Sequence, residues 1–150
     1  ADLAALYPKA RVEPGGPGYM ALWRVRIGGD DRMAILMHPP SRATWTVEVR
    51  PGSRLRFGIG FSQDVWDKPG GGATFEVSVK TRFRKPRVVF SEQVDPKRNE
   101  NHRCWLDREV DLSAFGGKTV AITLATTTPP GENQFCATFW SRPFLVSGIV

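Results

Sequence analysis

The chain has 150 residues, of which 41% are hydrophobic and 24% are charged, a balance typical of a single globular domain and unlike that of a disordered chain. No apolar run approaches the roughly 20 residues that a membrane-spanning helix requires. The formal net charge is +6, and 15 of the 21 basic residues are arginine. This excess indicates either an anionic partner or strand faces exposed to solvent.

Alternating apolar and polar residues predict the first two strands. The run 19–27 places Trp23 on its apolar face and Arg24 on the opposite face, which is the two-residue period of a half-buried strand. A Gly-Gly turn follows it. A second and more apolar run, 32–37, ends before Pro39.

Two further runs, 43–49 and 55–61, flank the turn sequence Pro51-Gly52 and together predict a β-hairpin. A short helical turn over 111–115 ends at a Gly-Gly pair. The remaining predicted strands are 75–79, 87–90, 104–111, 118–126, 135–140 and 143–146. Eight to ten short strands with turn signals between them predict an all-β, two-sheet sandwich or jelly roll.

The aperiodic, Gly- and Pro-rich start of the chain divides the prediction into two parts. Residues 1–18 form an N-terminal arm or linker, and residues 19–150 form the β-sandwich domain. The inward phase of successive strands predicts a core that contains Trp23, Val25, Trp45, Val47, Phe57, Ile59, Phe75, Val77, Ile122 and Leu124.

Three segments carry a resemblance to a known family: 34–41 with the Pro-Gly turn that follows it, 55–60, and 105–113 with the Gly-Gly-Lys sequence after it. The pattern resembles the galactose-binding-like jelly-roll modules appended to bacterial cell-envelope enzymes such as sulfatases and glycosyltransferases. The resemblance spans about residues 19–147. It implies a non-catalytic carbohydrate-binding or protein-docking role, ligand loops at one end of the sandwich and, in some members, a structural calcium.

Side chains suited to catalysis are few, so we expect no enzyme, no cofactor and no catalytic metal. The two histidines, His38 and His102, lie outside any nucleophile motif. Asp107 and Glu109 are closely spaced carboxyls, but Arg103 or Arg108 is their expected partner. Oxygen ligands for calcium occur in predicted loops without forming a calcium-loop motif: Asp30, Asp31, Asp64, Asp67 and Glu132.

The two cysteines, Cys104 and Cys136, cannot form a four-thiolate zinc site and do not lie in a redox motif. They are either two buried thiols or a disulfide. Both fall in predicted strands, and we predict that they are bridged. A bridge would indicate an oxidising compartment.

Two tryptophans are candidate ligand-stacking residues. Trp66 lies in a polar predicted loop, and Trp105 shares the phase of the polar residues in its strand. Each ring either stacks on a sugar or partner side chain, or folds back over the edge of the sandwich.

The strongest basic cluster includes Arg82, Phe83, Arg84 and Arg87. Its arginines can bind anionic groups, and Phe83 adds apolar contact area. Single-stranded nucleic acid would suit such a cluster, but no nucleic-acid motif frames it. An edge strand protected by charge is the alternative.

These observations favour a non-catalytic extracytoplasmic module that binds carbohydrate or docks onto a larger assembly. The alternative is an accessory structural subunit of a membrane-associated complex, with partner subunits or an anionic surface as its contacts. The first residues lack the apolar segment of a signal peptide, so we expect that a targeting segment was removed or never existed.

Overall fold

The computed structural model describes residues 1–14 and 19–147. Within these ranges, short 3-10 turns occur at Tyr7–Lys9, Gln63–Val65, Glu100–His102 and Ser113–Phe115. The last of these confirms the predicted helical turn. The ten strands are Arg11–Glu13 (β1), Met20–Ile27 (β2), Asp30–Met37 (β3), Ser41–Val49 (β4), Arg54–Phe61 (β5), Ala73–Lys80 (β6), Arg87–Val94 (β7), Leu106–Asp111 (β8), Lys118–Thr127 (β9) and Thr138–Val146 (β10).

The strands form two antiparallel five-stranded sheets. Sheet A has the order β2-β3-β10-β5-β8, and sheet B has the order β1-β4-β9-β6-β7. Their inner faces enclose the main core, so the protein is an all-β, two-sheet sandwich of the jelly-roll kind, as predicted. In the described parts of the chain, no helix has the length and apolar character needed to cross a membrane.

Most of the predicted core is confirmed. Seven of the ten residues are buried, among them Phe57, Phe75 and Ile122, and Val25 and Val47 are partly buried. The prediction for Trp23 is wrong, because half of this residue is exposed. Register pairs Trp23 with Ala34, and both lie on the face of sheet A that turns away from the main core.

The predicted hairpin around Pro51-Gly52 is wrong. β4 lies in sheet B and β5 lies in sheet A, so this turn carries the chain from one sheet to the other. Gly52 has a φ of 74°, a left-handed conformation suited to a sharp turn. Apolar alternation specifies which face of a strand is buried but does not specify the neighbouring strand.

The first residues of the predicted N-terminal arm lie in the sandwich. Leu3 is buried in the main core, Asp2 forms a β-bridge with Phe144, and β1 pairs with β4. The predicted core did not include these residues. Residues 15–18 of the predicted arm lie outside the described residues, as do residues 148–150 of the predicted domain.

The tip of the β2–β3 hairpin packs on the outer face of sheet A. β3 pairs with β10 only at 34–36, and beyond this point the hairpin lies against the start of β8. The Trp105 indole N–H donates to the Asp30 carbonyl over 3.0 Å. A second, smaller apolar cluster fills this contact and consists of Ile27, Ala34, Leu36, Trp105 and Phe139. Sheet A is therefore covered on both faces along part of its length.

Candidate functional site

A pocket of about 400 Å³ lies on the outer face of sheet A, beside the β2–β3 hairpin. Strand register places Ser141, Gly58 and Asp107 side by side on β10, β5 and β8. Gly58 has no side chain and Ser141 has a short one, so the outer surface of sheet A forms a depression at this point. The lining residues of this sheet A pocket are Arg32, Arg56, Phe57, Gly58, Asp107, Arg108, Glu109, Ser141 and Arg142.

Arg32 links the β2–β3 hairpin to the wall of the pocket. Its Nη1 donates to Asp107 Oδ1 over 2.6 Å and to Ser141 Oγ over 3.1 Å, while its Nη2 donates to Asp30 Oδ2 over 2.9 Å. The guanidinium also lies 5.2 Å from the centre of the Trp105 ring. Only 12% of the Arg32 side chain is exposed, so this charge is largely shielded and held in one position.

The same ion pair sets the charge of Asp107. Hydrogen bonds from the Arg32 guanidinium hold the Asp107 pKa below its ordinary value and raise the pKa of Arg32, and burial opposes both shifts. Asp107 is therefore an ionised acceptor near neutral pH. A carboxylate in this state accepts hydrogen bonds and cannot serve as a general acid.

Gly58 is needed where these side chains converge. A Cβ atom built at this position would lie 2.4 Å from Ser141 Oγ, 2.6 Å from Arg32 Nη1 and 2.9 Å from Asp107 Oδ1. A glycine inside a strand commonly marks such a close approach. The polar network beside the pocket therefore requires a glycine, which has no side chain, at position 58.

Arg142 lies at a bulge of β10, where the pairing with β5 shifts between Ser141 and Phe144. Its φ of 45° is uncommon for a residue other than glycine, and the side chain is exposed. Across residues 1–14 and 19–147, Arg142 has no ion-pair partner within 4.0 Å. Strained residues and bulges cluster at functional sites, and here the strained residue lines a pocket.

The far wall of the pocket is an ion-pair network on β5 and β8. Arg54 and Arg56 both donate to the carboxylate of Glu109, over 2.9 and 3.0 Å. Arg108 donates to Glu92 on β7, which belongs to the other sheet. Four arginines and two carboxylates line the pocket, so its local charge is positive.

The predicted stacking tryptophans both pack within the protein. Trp105 is buried with 8% exposure, and its indole N–H donates to the backbone carbonyl of Asp30. Trp66 is half-buried, its indole N–H donates to the Phe61 carbonyl, and the Arg103 guanidinium lies 5.8 Å from its ring centre. The Trp105 ring is therefore enclosed, while the Trp66 ring keeps part of its surface exposed.

The predicted basic residues lie at the other end of the sandwich from Trp66. Arg82, Phe83 and Arg84 form the connection between β6 and β7, and Arg87 begins β7. Trp66 precedes β6, whose eight residues separate the two places by about 25 Å. The structure therefore does not bring the tryptophans and the basic residues into one site.

The predicted disulfide is wrong. Cys104 and Cys136 are free thiols, the first exposed and the second buried. Neither lies in a strand: Cys104 precedes β8, and Cys136 precedes β10. Their thiols donate to different loops, toward the carbonyls of Asn101 and Gly71 respectively. Burial raises the pKa of the Cys136 thiol and keeps it protonated.

Two of the residues considered for metal binding are engaged in ion pairs. Asp30 binds Arg32, and Asp31 binds Arg26 in an exposed ion pair. In the described residues, no group of three or more His, Cys, Asp or Glu side chains could hold a metal ion. His102 Nδ1 accepts a hydrogen bond from the Asp95 N–H, which gives this ring a structural role.

Sequence reasoning missed most of the sheet A pocket. Asp107 and Glu109 were considered as a carboxyl pair, with Arg103 or Arg108 as their expected partner. That pairing is wrong, because Asp107 binds Arg32 and Glu109 binds Arg54 and Arg56. The signal for the rest was the sequence Gly58-Ile59-Gly60, which puts two glycines at alternate positions of β5. Two glycines on one face of a strand indicate that another segment packs closely there.

Comparisons with known proteins give the fold and one relative. No family model matches the chain. An uncharacterized protein from Archaeoglobus fulgidus is 34% identical over 127 residues, which cover 79% of this chain and 32% of that protein. The chain thus spans about a third of the length of the curated relative that it matches.

Solved carbohydrate-binding modules share the jelly-roll sandwich. CBM51 from a Clostridium perfringens GH95 protein, solved in complex with methyl-galactose, has a TM-score of 0.67 and 14% identity and covers 97% of this chain and 99% of its own. TmCBM61, solved with β-1,4-galactotriose, has a TM-score of 0.58 and 13% identity and covers 94% of this chain and 90% of its own. At such identities the likeness establishes the fold.

Proposed function

We propose that this chain is a non-catalytic carbohydrate-binding module and that its ligand binds in the sheet A pocket. The observation that carries the proposal is the fixed polar rim: Arg32 and Asp107 hold each other in place, and Arg142 beside them has no ion-pair partner among the described residues. Sugar hydroxyls both donate and accept hydrogen bonds, so a site with carboxylate acceptors and guanidinium donors suits them. Because the rim lies on paired strands, little ordering is needed when ligand binds.

The ligands of the fold relatives suggest which sugars to try first. Methyl-galactose was bound to one of these modules and β-1,4-galactotriose to another. The pocket of this chain is large enough for a few sugar rings at most, since ligand pockets of about 300–1,000 Å³ hold small ligands. Galactose and short galactans are therefore the first candidates.

The charge of the pocket favours acidic sugars over neutral ones. Four of its nine lining residues are arginines, and one of these, Arg142, has no carboxylate partner in the described chain. Guanidinium groups bind carboxylates through paired hydrogen bonds. Galacturonate oligomers should therefore bind more tightly than galactose oligomers of equal length, and added salt should reduce this difference.

The chemistry of the pocket argues against hydrolysis. Glycosidases need one carboxyl that is protonated at the working pH, so that it can donate to the leaving oxygen. Asp107 has a lowered pKa because Arg32 stabilises its ionised form. Glu109 is held by two arginines, which leaves neither carboxylate free to act as the acid.

A binding titration with one variant and one control tests the proposal. Arg142→Gly removes the unpaired guanidinium and replaces a strained residue by one that accepts a φ of 45°. We expect the melting temperature to be kept, while affinity for the best-bound oligosaccharide falls about tenfold or more. Arg11→Ala, an exposed arginine on β1 of the other sheet, should bind as the unchanged protein does.

Equal affinities of Arg142→Gly and the unchanged protein would place the ligand elsewhere. Absence of binding to every neutral and acidic oligosaccharide would reject the carbohydrate-binding function itself. In that case the accessory-subunit role, which stays a prediction, would be tested by co-purification with partner chains. The extracytoplasmic location also stays a prediction, and the free thiols remove one of its arguments.

A further inference from the structure

The connection between β6 and β7 presents an unusually exposed aromatic ring. Phe83 is 90% exposed, the highest value among the large hydrophobic residues that the structure describes. It lies at the end of the hairpin, where the Arg84 N–H donates to the Thr81 carbonyl and closes the turn. Val88, on the adjoining strand, is also exposed. An apolar ring in this position buries almost no surface against the rest of the chain, so its hydrophobic contribution to folding is small.

Six cationic side chains lie in the connection between β6 and β7, at its two ends or in the lining of the adjoining pocket, and with Phe83 they are here called the basic tip: Lys80, Arg82, Arg84, Lys85, Arg87 and Lys118. In the described parts of the chain, none of the six has a carboxylate partner within 4.0 Å. The adjoining pocket of about 390 Å³ has no acidic residue in its lining. Two of these cations lie over aromatic rings: the Arg82 guanidinium is 4.9 Å from the centre of the Phe83 ring, and the Arg87 guanidinium is 5.8 Å from the centre of the Phe115 ring.

The backbone at the tip holds Phe83 in a costly conformation. Its φ of 65° falls in the left-handed region, which bulky residues rarely adopt. A glycine or asparagine would accept this conformation more easily. Local strain, an exposed ring and unpaired charges therefore occur together at one turn, and all three would be offset by the same external partner.

We propose that the basic tip docks onto the surface of an anionic lipid bilayer. Phe83 would enter the boundary between headgroups and acyl chains, and the surrounding arginines and lysines would bind the phosphate and carboxylate groups above it. A soluble polyanion would neutralise the charges but would provide no apolar medium for the ring. The exposed Phe83 is the reason that the proposal names a lipid surface.

Vesicle co-sedimentation of the full chain tests this directly. We expect binding to phosphatidylcholine vesicles that contain phosphatidylserine, little binding to phosphatidylcholine alone, and release as salt rises. Phe83→Ala should lower the partition coefficient about tenfold, because the ring no longer enters the boundary. Arg84→Gln and Lys85→Gln should each lower it about fivefold.

Two controls separate this proposal from its alternatives. Phe144→Ala removes another exposed phenylalanine, outside the basic tip, and should leave vesicle binding unchanged. Heparin, a soluble polyanion, should bind the Phe83→Ala variant as well as the unchanged protein. The proposal is overturned if phosphatidylserine does not increase binding, if Phe83→Ala binds vesicles normally, or if Phe144→Ala loses as much binding as Phe83→Ala. Its test uses no sugar, so it can fail while the carbohydrate-binding proposal stands.

Discussion

The sheet A pocket and the basic tip are both rich in arginine, yet the structure uses this residue in opposite ways. At the pocket, Arg32 is only 12% exposed, and its donors bind two carboxylates and a hydroxyl. At the tip, Arg82 and Arg84 lie in an exposed turn beside Phe83, and no carboxylate in the described chain pairs with them. The net charge of +6 therefore does not show which arginines are paired and which are free to bind a partner.

The difference shows what decides the role of a charged side chain. An arginine held by several acceptors fixes the position of a segment, and here Arg32 attaches the β2–β3 hairpin to sheet A. An unpaired arginine beside an exposed ring contributes little to folding and remains available to a partner. Changes at Arg32 and the side chains packed around it should therefore alter stability, while changes at the tip should not.

The largest expected effect compares two phenylalanines. Phe57 is buried against Phe90 and Trp140, so Phe57→Ala should lower the free energy of unfolding by about 3–5 kcal/mol. Phe83→Ala should change it by less than about 0.5 kcal/mol, because that ring is exposed. Urea denaturation measures both. A large loss of stability in Phe83→Ala would show that the tip is part of the packed structure.

Two glycines give the next comparison. Gly58→Ala would place a methyl group within 3 Å of three side-chain atoms, so we expect a loss of about 1–3 kcal/mol. Gly71→Ala meets nothing within 4 Å and should be neutral or slightly stabilising. Thermal denaturation of the two variants measures the difference. Equal melting temperatures would contradict the close packing at position 58.

The same substitution, arginine to alanine, can be made at the sheet A pocket and at the basic tip, which allows a direct comparison of the two regions. Arg32→Ala leaves Asp30 and Asp107 without their shared cation, and we expect a loss of about 2 kcal/mol. Arg84→Ala should change stability by less than about 0.5 kcal/mol. Urea midpoints of the two variants provide the measurement. The contrast between the regions fails if both arginines have the same effect.

The smallest effect is a dependence on pH. The lowered pKa of Asp107 means that its ion pair stabilises the fold above the ordinary carboxyl pKa of about 4, and that this contribution disappears as pH falls through the lowered value. Because 67% of the Asp107 side chain is exposed, the contribution should stay below about 1 kcal/mol. The stability gap between the unchanged protein and Asp107→Asn should therefore narrow as the pH falls below about 4. A gap that is constant with pH would contradict the ion-pair explanation.

Sequence patterns predicted the fold well because apolar alternation is a local signal. The strands around Trp45, Phe57 and Phe75 were found in this way, with their buried faces. The prediction for Trp23 was wrong, because alternation shows that one face of β2 is apolar but does not show on which side of sheet A that face lies. The β4–β5 hairpin was wrong for a similar reason, since a Pro-Gly turn fits both a hairpin and a crossing between sheets.

The candidate site was less predictable because it depends on distant residues. Arg32 and Asp107 are 75 positions apart, and Arg32 and Ser141 are 109 apart. They meet only because the β2–β3 hairpin packs on sheet A, which no local pattern shows. Trp105 had a polar phase in the sequence, yet the same hairpin covers its ring. The basic tip could be predicted from the sequence, because all of its residues except Lys118 lie between positions 80 and 87.

Mapping of a bound sugar by NMR tests the central claim most directly. The protein would be titrated with whichever galactose or galacturonate oligomer binds best, and its backbone amide shifts would be followed. The account predicts that the shifted amides cluster at 56–58, 107–109 and 141–142, the segments that line the sheet A pocket. Shifts confined to the connecting segments around Trp66 or to the basic tip, with none in these three segments, would contradict it.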